Sequence, residues 1–170
     1  MEIFGLTGWS GSGKTALMVR LLPALTRRGL RVSTVKHAHK GFDIDHPGKD
    51  SHDHRLAGAT EVLVSSPYRW ALMHELRDEP EPALADLLPK LAPVDLLLIE
   101  GFKRDAHAKI EVWRSAVGKP LIARDDPSIV AVASDGAVPG CPVPVLDLND
   151  AEAVAAFVVE RCGLEGASAR

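Results

Sequence analysis

Apolar residues in this chain gather into short runs separated by stretches of helical spacing, and this alternation predicts strands and helices in turn. Residues 2–7 read as a first, buried strand, followed by a glycine-rich loop and a helix running to about Arg28. Gly29 suits the position just past that helix, after the basic pair Arg27-Arg28. Pro23 lies inside the helix, where it removes a backbone hydrogen bond and should kink it. Residues 31–36 read as a second strand, 37–51 as a polar loop and 53–59 as a short helix. Residues 61–65 and 69–74 look like two strands joined through Ser66-Pro67-Tyr68. Pro80 and Pro82 open a helix over 83–91. Residues 95–100 form a strongly apolar strand, and 110–114 alternate as a half-buried strand would. Residues 128–133 and 143–146 are further strands, and 150–162 a last helix capped by Asn149 or Asp150. Continuous apolar strands between helices imply an α/β fold whose mainly parallel sheet carries helices on both faces.

At 170 residues the chain is expected to form a single domain over 1–163, with 164–170 as a frayed tail. Hydrophobic residues make up 46% and charged residues 25%, ordinary values for a globular protein with a sizeable core. A net charge of −3 predicts no bulk attraction to nucleic acid or to an anionic membrane. Cys141 and Cys162 are far apart and form no C-x-x-C pair, so a cytoplasmic protein with reduced thiols is the simplest account. The first residues carry no basic signal-peptide region, and Pro89, Lys90 and Asp95 interrupt the longest apolar stretch.

The chemistry concentrates between the first strand and the first helix. Gly8-Trp9-Ser10-Gly11-Ser12-Gly13-Lys14-Thr15 is a complete G-x-x-x-x-G-K-[ST] phosphate-binding loop in its proper strand–loop–helix context. The glycines let backbone N–H groups point inward at an anion, and the helix N-terminus adds partial positive charge. Lys14 can reach the β- and γ-phosphates, and the Thr15 hydroxyl can coordinate Mg²⁺. These features mark a P-loop NTPase.

A second acidic ligand follows from strand geometry. Asp95 and Glu100 bound one strand, and five residues at about 3.3 Å each place them roughly 16 Å apart. Ligands collect at the carboxyl ends of parallel strands, where the phosphate loop also lies. Glu100 is therefore expected to hold the Mg²⁺, directly or through water, and Asp95 to lie at the opposite edge. Lys36 and His37 end the second strand at the ligand edge by the same reasoning. Five of the seven histidines fall between His37 and His54. Their spacing gives little support for one shared metal site. Asp43, Asp45 and Asp50 with Lys40, Lys49 and Arg55 suit a loop near a phosphate and its metal better.

Several segments together resemble the MobB family, the molybdopterin-guanine dinucleotide biosynthesis adapter proteins. They are the phosphate loop, Val35-Lys36-His37-Ala38-His39, Phe42-Asp43-Ile44-Asp45-His46-Pro47-Gly48-Lys49-Asp50-Ser51, Arg55-Leu56-Ala57-Gly58-Ala59 and Leu98-Ile99-Glu100-Gly101-Phe102-Lys103, and the likeness spans about residues 1–135. The resemblance implies a GTP-binding protein that assists the guanylyltransferase MobA in attaching GMP to molybdopterin. Whether molybdopterin itself contacts this chain is left open. It also implies a homodimer with part of the sheet built across the interface. By position, Gly8 to Thr15 would bind phosphates, Thr15 and Glu100 would serve the metal, and Asp45, Lys49 and Asp50 would line the nucleotide or partner cleft.

No Asn-Lys-x-Asp motif is present to read guanine, and Asp135, Asp125 and Asp126 remain as substitutes. No residue stands out as a water-orienting group, so slow GTP hydrolysis at most is expected. A P-loop small-molecule kinase using Asp43 or Asp45 to orient an acceptor hydroxyl is the alternative, and a metal-delivering P-loop protein a more distant one. Trp9 reads as a half-exposed loop aromatic, and Trp70, Met73 and Trp113 as core or dimer-interface residues.

Overall fold

A computed structural model describes residues 1–38, 41–103 and 105–164. His39, Lys40 and all of the expected tail beyond Leu164 lie outside the described residues. In chain order the elements are β1 (Glu2–Thr7), α1 (Lys14–Thr26), β2 (Val32–Lys36), α2 (Asp50–Leu56), β3 (Glu61–Ser65), β4 (Trp70–His74), α3 (Leu84–Leu87), β5 (Leu96–Glu100), β6 (Lys109–Trp113), β7 (Ile129–Ser134), β8 (Val145–Asp147) and α4 (Ala151–Arg161). They group into two compact units, one of residues 1–37 with those from 91 onward, the other of residues 38–90. Among the described residues no helix is long and apolar enough to cross a membrane.

The first unit is built on a six-stranded sheet of order β2-β5-β1-β6-β7-β8, parallel throughout. Phe4 and Leu6 of β1, Leu98 of β5 and Val112 of β6 share one core with Leu17 and Leu21 of α1 and with Val154 and Val158 of α4. Each of these side chains is fully buried, and such burial stabilises by about 1.5–3 kcal/mol per residue. Helix α1 continues through Pro23, and Gly29 follows it at φ 81°. Of the two candidate caps for α4, Asp150 takes the role, its carboxylate accepting from Ala153 N at 2.9 Å.

The other face of the sheet corrects one expectation. The alternation at 110–114 suggested a strand with one wet face, yet Lys109 and Glu111 are 1% and 0% exposed. The 3₁₀ turn Ile122–Arg124 lies against Glu111, and Leu121 and Ala123 pack on Ile129 and Val132. Glu111 accepts from Ile122 N at 3.0 Å and Ala123 N at 2.8 Å. Lys109 Nζ donates to Lys103 O at 3.0 Å and to Asp105 O at 2.5 Å, with Asp126 3.8 Å away. Buried charges persist only when partnered, and here main-chain groups supply the partners. Burial pushes the Glu111 carboxyl above its ordinary range.

In the second unit β3 and β4 form an antiparallel hairpin with Leu63 opposite Leu72 and Ser65 opposite Trp70. Ser66 Oγ accepts from the main-chain N–H of Tyr68 and Arg69 and closes the turn. The helix expected over 53–59 runs instead from Asp50 to Leu56. Asp50 and Asp53 favour its first turn, and Gly58 at φ 114° ends it. The helix expected over 83–91 is reduced to α3 and a 3₁₀ turn, Leu88–Lys90, in which Pro89 has no N–H to give.

Candidate nucleotide-binding site

The carboxyl end of β1 turns directly into the loop of residues 8–13, and α1 begins at Lys14. Gly8 is required by space as well as by angle. A Cβ there would lie 2.4 Å from the carbonyl oxygen of Val112, and its φ is 136°. Gly13, the N-cap of α1, has φ 99° and leaves the helix's first N–H groups uncovered by any side chain. Such an uncovered helix start attracts anions. Lys14 lies back over the loop, with Nζ donating to Gly8 O at 3.1 Å and Trp9 O at 3.0 Å. Burial holds its ammonium below the ordinary lysine range; Glu100 opposes the shift, and Lys103 and Lys36 add to it.

Thr15 Oγ1 donates to Glu100 Oε1 at 3.0 Å and lies 3.2 Å from Oε2. The register brings them together, since Glu100 pairs with Leu6 at the top of β1. A hydroxyl and a carboxylate are hard oxygen donors, which suit Mg²⁺. Asp95 stands at the other end of β5, accepting from Arg31 N at 2.8 Å and pairing with its guanidinium. Beyond Glu100 the chain turns through Gly101 at φ 105° and Phe102 at φ 46°. A Cβ on Gly101 would lie 2.7 Å from His37 Cβ. The His37 ring stacks on Phe102 at 4.7 Å between centroids, which holds Phe102 in a backbone region that non-glycine residues seldom adopt.

Trp9 is more than a loop aromatic. Its indole Nε1 donates to Pro120 O at 2.8 Å, and the ammonium groups of Lys103 and Lys119 lie 5.2 and 5.9 Å from its ring. Lys119, Pro120 and Arg114 were not found by sequence reasoning, because no local motif marks them. They reach the loop only through the pairing of β6 with β1.

Asp45, Lys49 and Asp50 belong to the second unit. Asp45 is buried and pairs with Arg55 at 2.8 Å, and Asp43 pairs with the same nitrogen at 3.2 Å. Arg55 holds the Asp45 carboxyl below its ordinary range. The two carboxylates considered for a kinase are thus both engaged by one guanidinium. Lys49 is the N-cap of α2 and Asp50 its first residue, and both are exposed. Among the described residues no group of three or more His, Cys, Asp or Glu is placed to hold a metal.

A parallel sheet with a glycine-rich phosphate loop, its lysine and a threonine–glutamate couple defines a P-loop nucleotide-binding protein of the α/β class. The profile of the family described as "Molybdopterin guanine dinucleotide synthesis protein B" matches residues 3–135. This chain belongs to that family, MobB. It is 45% identical over 164 residues to the molybdopterin-guanine dinucleotide biosynthesis adapter protein of Escherichia coli K12, covering 94% of this chain and 93% of that protein. The adapter protein of Haemophilus influenzae is 37% identical, with 93% and 88% covered. A crystal structure of molybdopterin-guanine biosynthesis protein B superposes with a TM-score of 0.75 at 29% identity, over 95% of this chain and 99% of that one.

Proposed function

We propose that this chain binds GTP with Mg²⁺ and serves as an adapter in molybdopterin guanine dinucleotide formation, assisting MobA, with slow GTP hydrolysis at most. The observation that carries the reading is the Thr15–Glu100 couple beside a complete phosphate loop, in a chain whose curated relatives are named as adapters of this pathway. The loop amides and Lys14 would hold the phosphates, and Thr15 and Glu100 the Mg²⁺, which supplies charge neutralisation between β- and γ-phosphates when bound. Lys49 and Asp50, both exposed, are the residues of the second unit offered to nucleotide or partner, and Asp45 supports them through Arg55. Cys141 and Cys162 are both unbridged thiols, in keeping with a cytoplasmic protein.

The test is a titration of GTP against ATP in Mg²⁺. GTP is expected to bind the more tightly, and equal affinities would remove the guanine assignment.

The reading includes a homodimer. Leu63, Trp70 and Leu72 lie on one face of the hairpin at 62%, 66% and 43% exposure, and exposed apolar faces of this kind mark interfaces. Trp70→Asp, a charge at the turn end of that face beside the Leu63–Leu72 pair, is expected to convert a dimer into a monomer of unchanged circular dichroism. Light scattering after size exclusion reads the mass, and a variant that stays dimeric would remove the hairpin from the interface.

A further inference from the structure

Arg114 and Asp135 form a pair that the phosphate site does not use. Arg114 follows β6, and its Nη2 lies 3.5 Å from where a Cβ on Gly13 would be. Its Nη1 is 3.4 Å from Asp135 Oδ2, and its Nε is buried without a hydrogen-bond partner among the described residues. Asp135 follows Ser134, the last residue of β7, so it stands at the sheet edge that carries the phosphate loop. The strand order sets the direction of a bound nucleotide. The Thr15–Glu100 couple lies toward β5, on one side of β1, and the Arg114–Asp135 pair lies toward β6 and β7, on the other. Mg²⁺ held at Thr15 and Glu100 would lie at the β- and γ-phosphates, and the nucleoside, at the far end of the triphosphate, would then be directed toward the β6–β7 side.

We infer that Asp135 reads the guanine base and that Arg114 positions it; the inference rests on the GTP reading above. A carboxylate only accepts hydrogen bonds, at about four lone-pair positions. Guanine offers two adjacent donors, N1–H and the 2-amino group, and adenine presents an acceptor at N1. One carboxylate therefore welcomes guanine and repels adenine. The pairing with Arg114 uses one side of the carboxylate, and Asp135 is 36% exposed on its side chain. Arg114 also stands between this carboxylate and the loop, which offsets the repulsion a bare aspartate would exert on a polyphosphate. The other two candidates are excluded by position. Asp125 and Asp126 precede Ile129, at the amino end of β7, and Asp126 is bonded to Ser128 N and Oγ.

The test compares GTP, ATP and xanthosine triphosphate binding to the full chain and to Asp135→Asn, by calorimetry in Mg²⁺. Xanthine carries an oxygen where guanine carries its 2-amino group, so an asparagine amide can donate to it. The variant is expected to lose at least about tenfold in GTP affinity and to gain about as much for xanthosine triphosphate. ATP affinity should not fall, because the variant removes the acceptor that opposes adenine N1. A merely structural role cannot produce the gain. Retention of the GTP preference without that gain would overturn the assignment, and so would a parallel loss for all three nucleotides. A wild-type chain that binds GTP and ATP alike would instead overturn the guanine reading before Asp135 is altered. As a second variant, Asp135→Ala should lose GTP affinity and gain none for xanthosine triphosphate; unchanged GTP affinity there also counts against the assignment.

Discussion

Lys14→Ala is expected to reduce GTP affinity by roughly thirtyfold to a few thousandfold, the range set by removing one member of a partly desolvated charge pair. The ammonium sits over the loop on the Gly8 and Trp9 carbonyls, and no backbone group can replace its charge. The fold should be indifferent to the change, because Lys14 is only half-buried and its partners are two loop carbonyls. Thermal unfolding separates the two effects. GTP should raise the melting temperature of the wild type with the logarithm of its concentration above Kd, and raise that of the variant markedly less at the same concentration. Undiminished binding by the variant would place the nucleotide elsewhere on the molecule.

Glu111→Ala should be the most damaging single change outside the loop. It strands the N–H groups of Ile122 and Ala123, which among the described residues donate to Glu111 at 3.0 and 2.8 Å. Two unmade hydrogen bonds of this kind cost about 2–6 kcal/mol, a large part of a total stability of about 5–15 kcal/mol. The nucleotide site should loosen too. The 3₁₀ turn that Glu111 anchors follows Pro120, whose carbonyl holds Trp9 of the phosphate loop. Urea denaturation reads the stability, and a loss under about 1 kcal/mol would show that the N–H groups find other partners.

The same residue makes a pH-dependent prediction with a definite sign. Burial raises the Glu111 carboxyl above its unfolded value. Its contribution to stability is therefore fully present below the unfolded pKa, near 4.3, and is lost as pH rises through the higher folded value. Glu111→Gln does not titrate. The stability difference between the two should shift in favour of the glutamine variant as pH rises from about 4 toward neutrality. A flat difference would mean that the carboxylate is as well solvated in the fold as in the unfolded chain.

The phosphate loop could be read directly from residues because it is local. Gly8, Gly13, Lys14 and Thr15 do their work within one turn of backbone, and the positive φ of the glycines is a property of those residues alone. Glu100 was legible for a different reason. Strand length separates it from Asp95, and parallel topology decides which end faces the ligand. Periodicity misjudged β6, since it cannot tell a polar side chain in water from one buried against main-chain donors. The extent of α2 was misjudged as well, because Asp50 and Gly58 outweighed the apolar spacing at its ends.

The chain's linear order was thus enough to predict the phosphate loop, the edge of the sheet that carries it and the family to which the protein belongs. Three matters waited for the folded chain: the clamp on Trp9, the partners of Lys109 and Glu111, and the placement of Asp125 and Asp126 at one end of β7 and Asp135 at the other. Pro120 is 111 positions from Trp9, and Asp135 reaches Arg114 only because β6 and β7 lie side by side. Contacts of that kind are chosen by the packing of strands against one another, and no short-range pattern of residues encodes them.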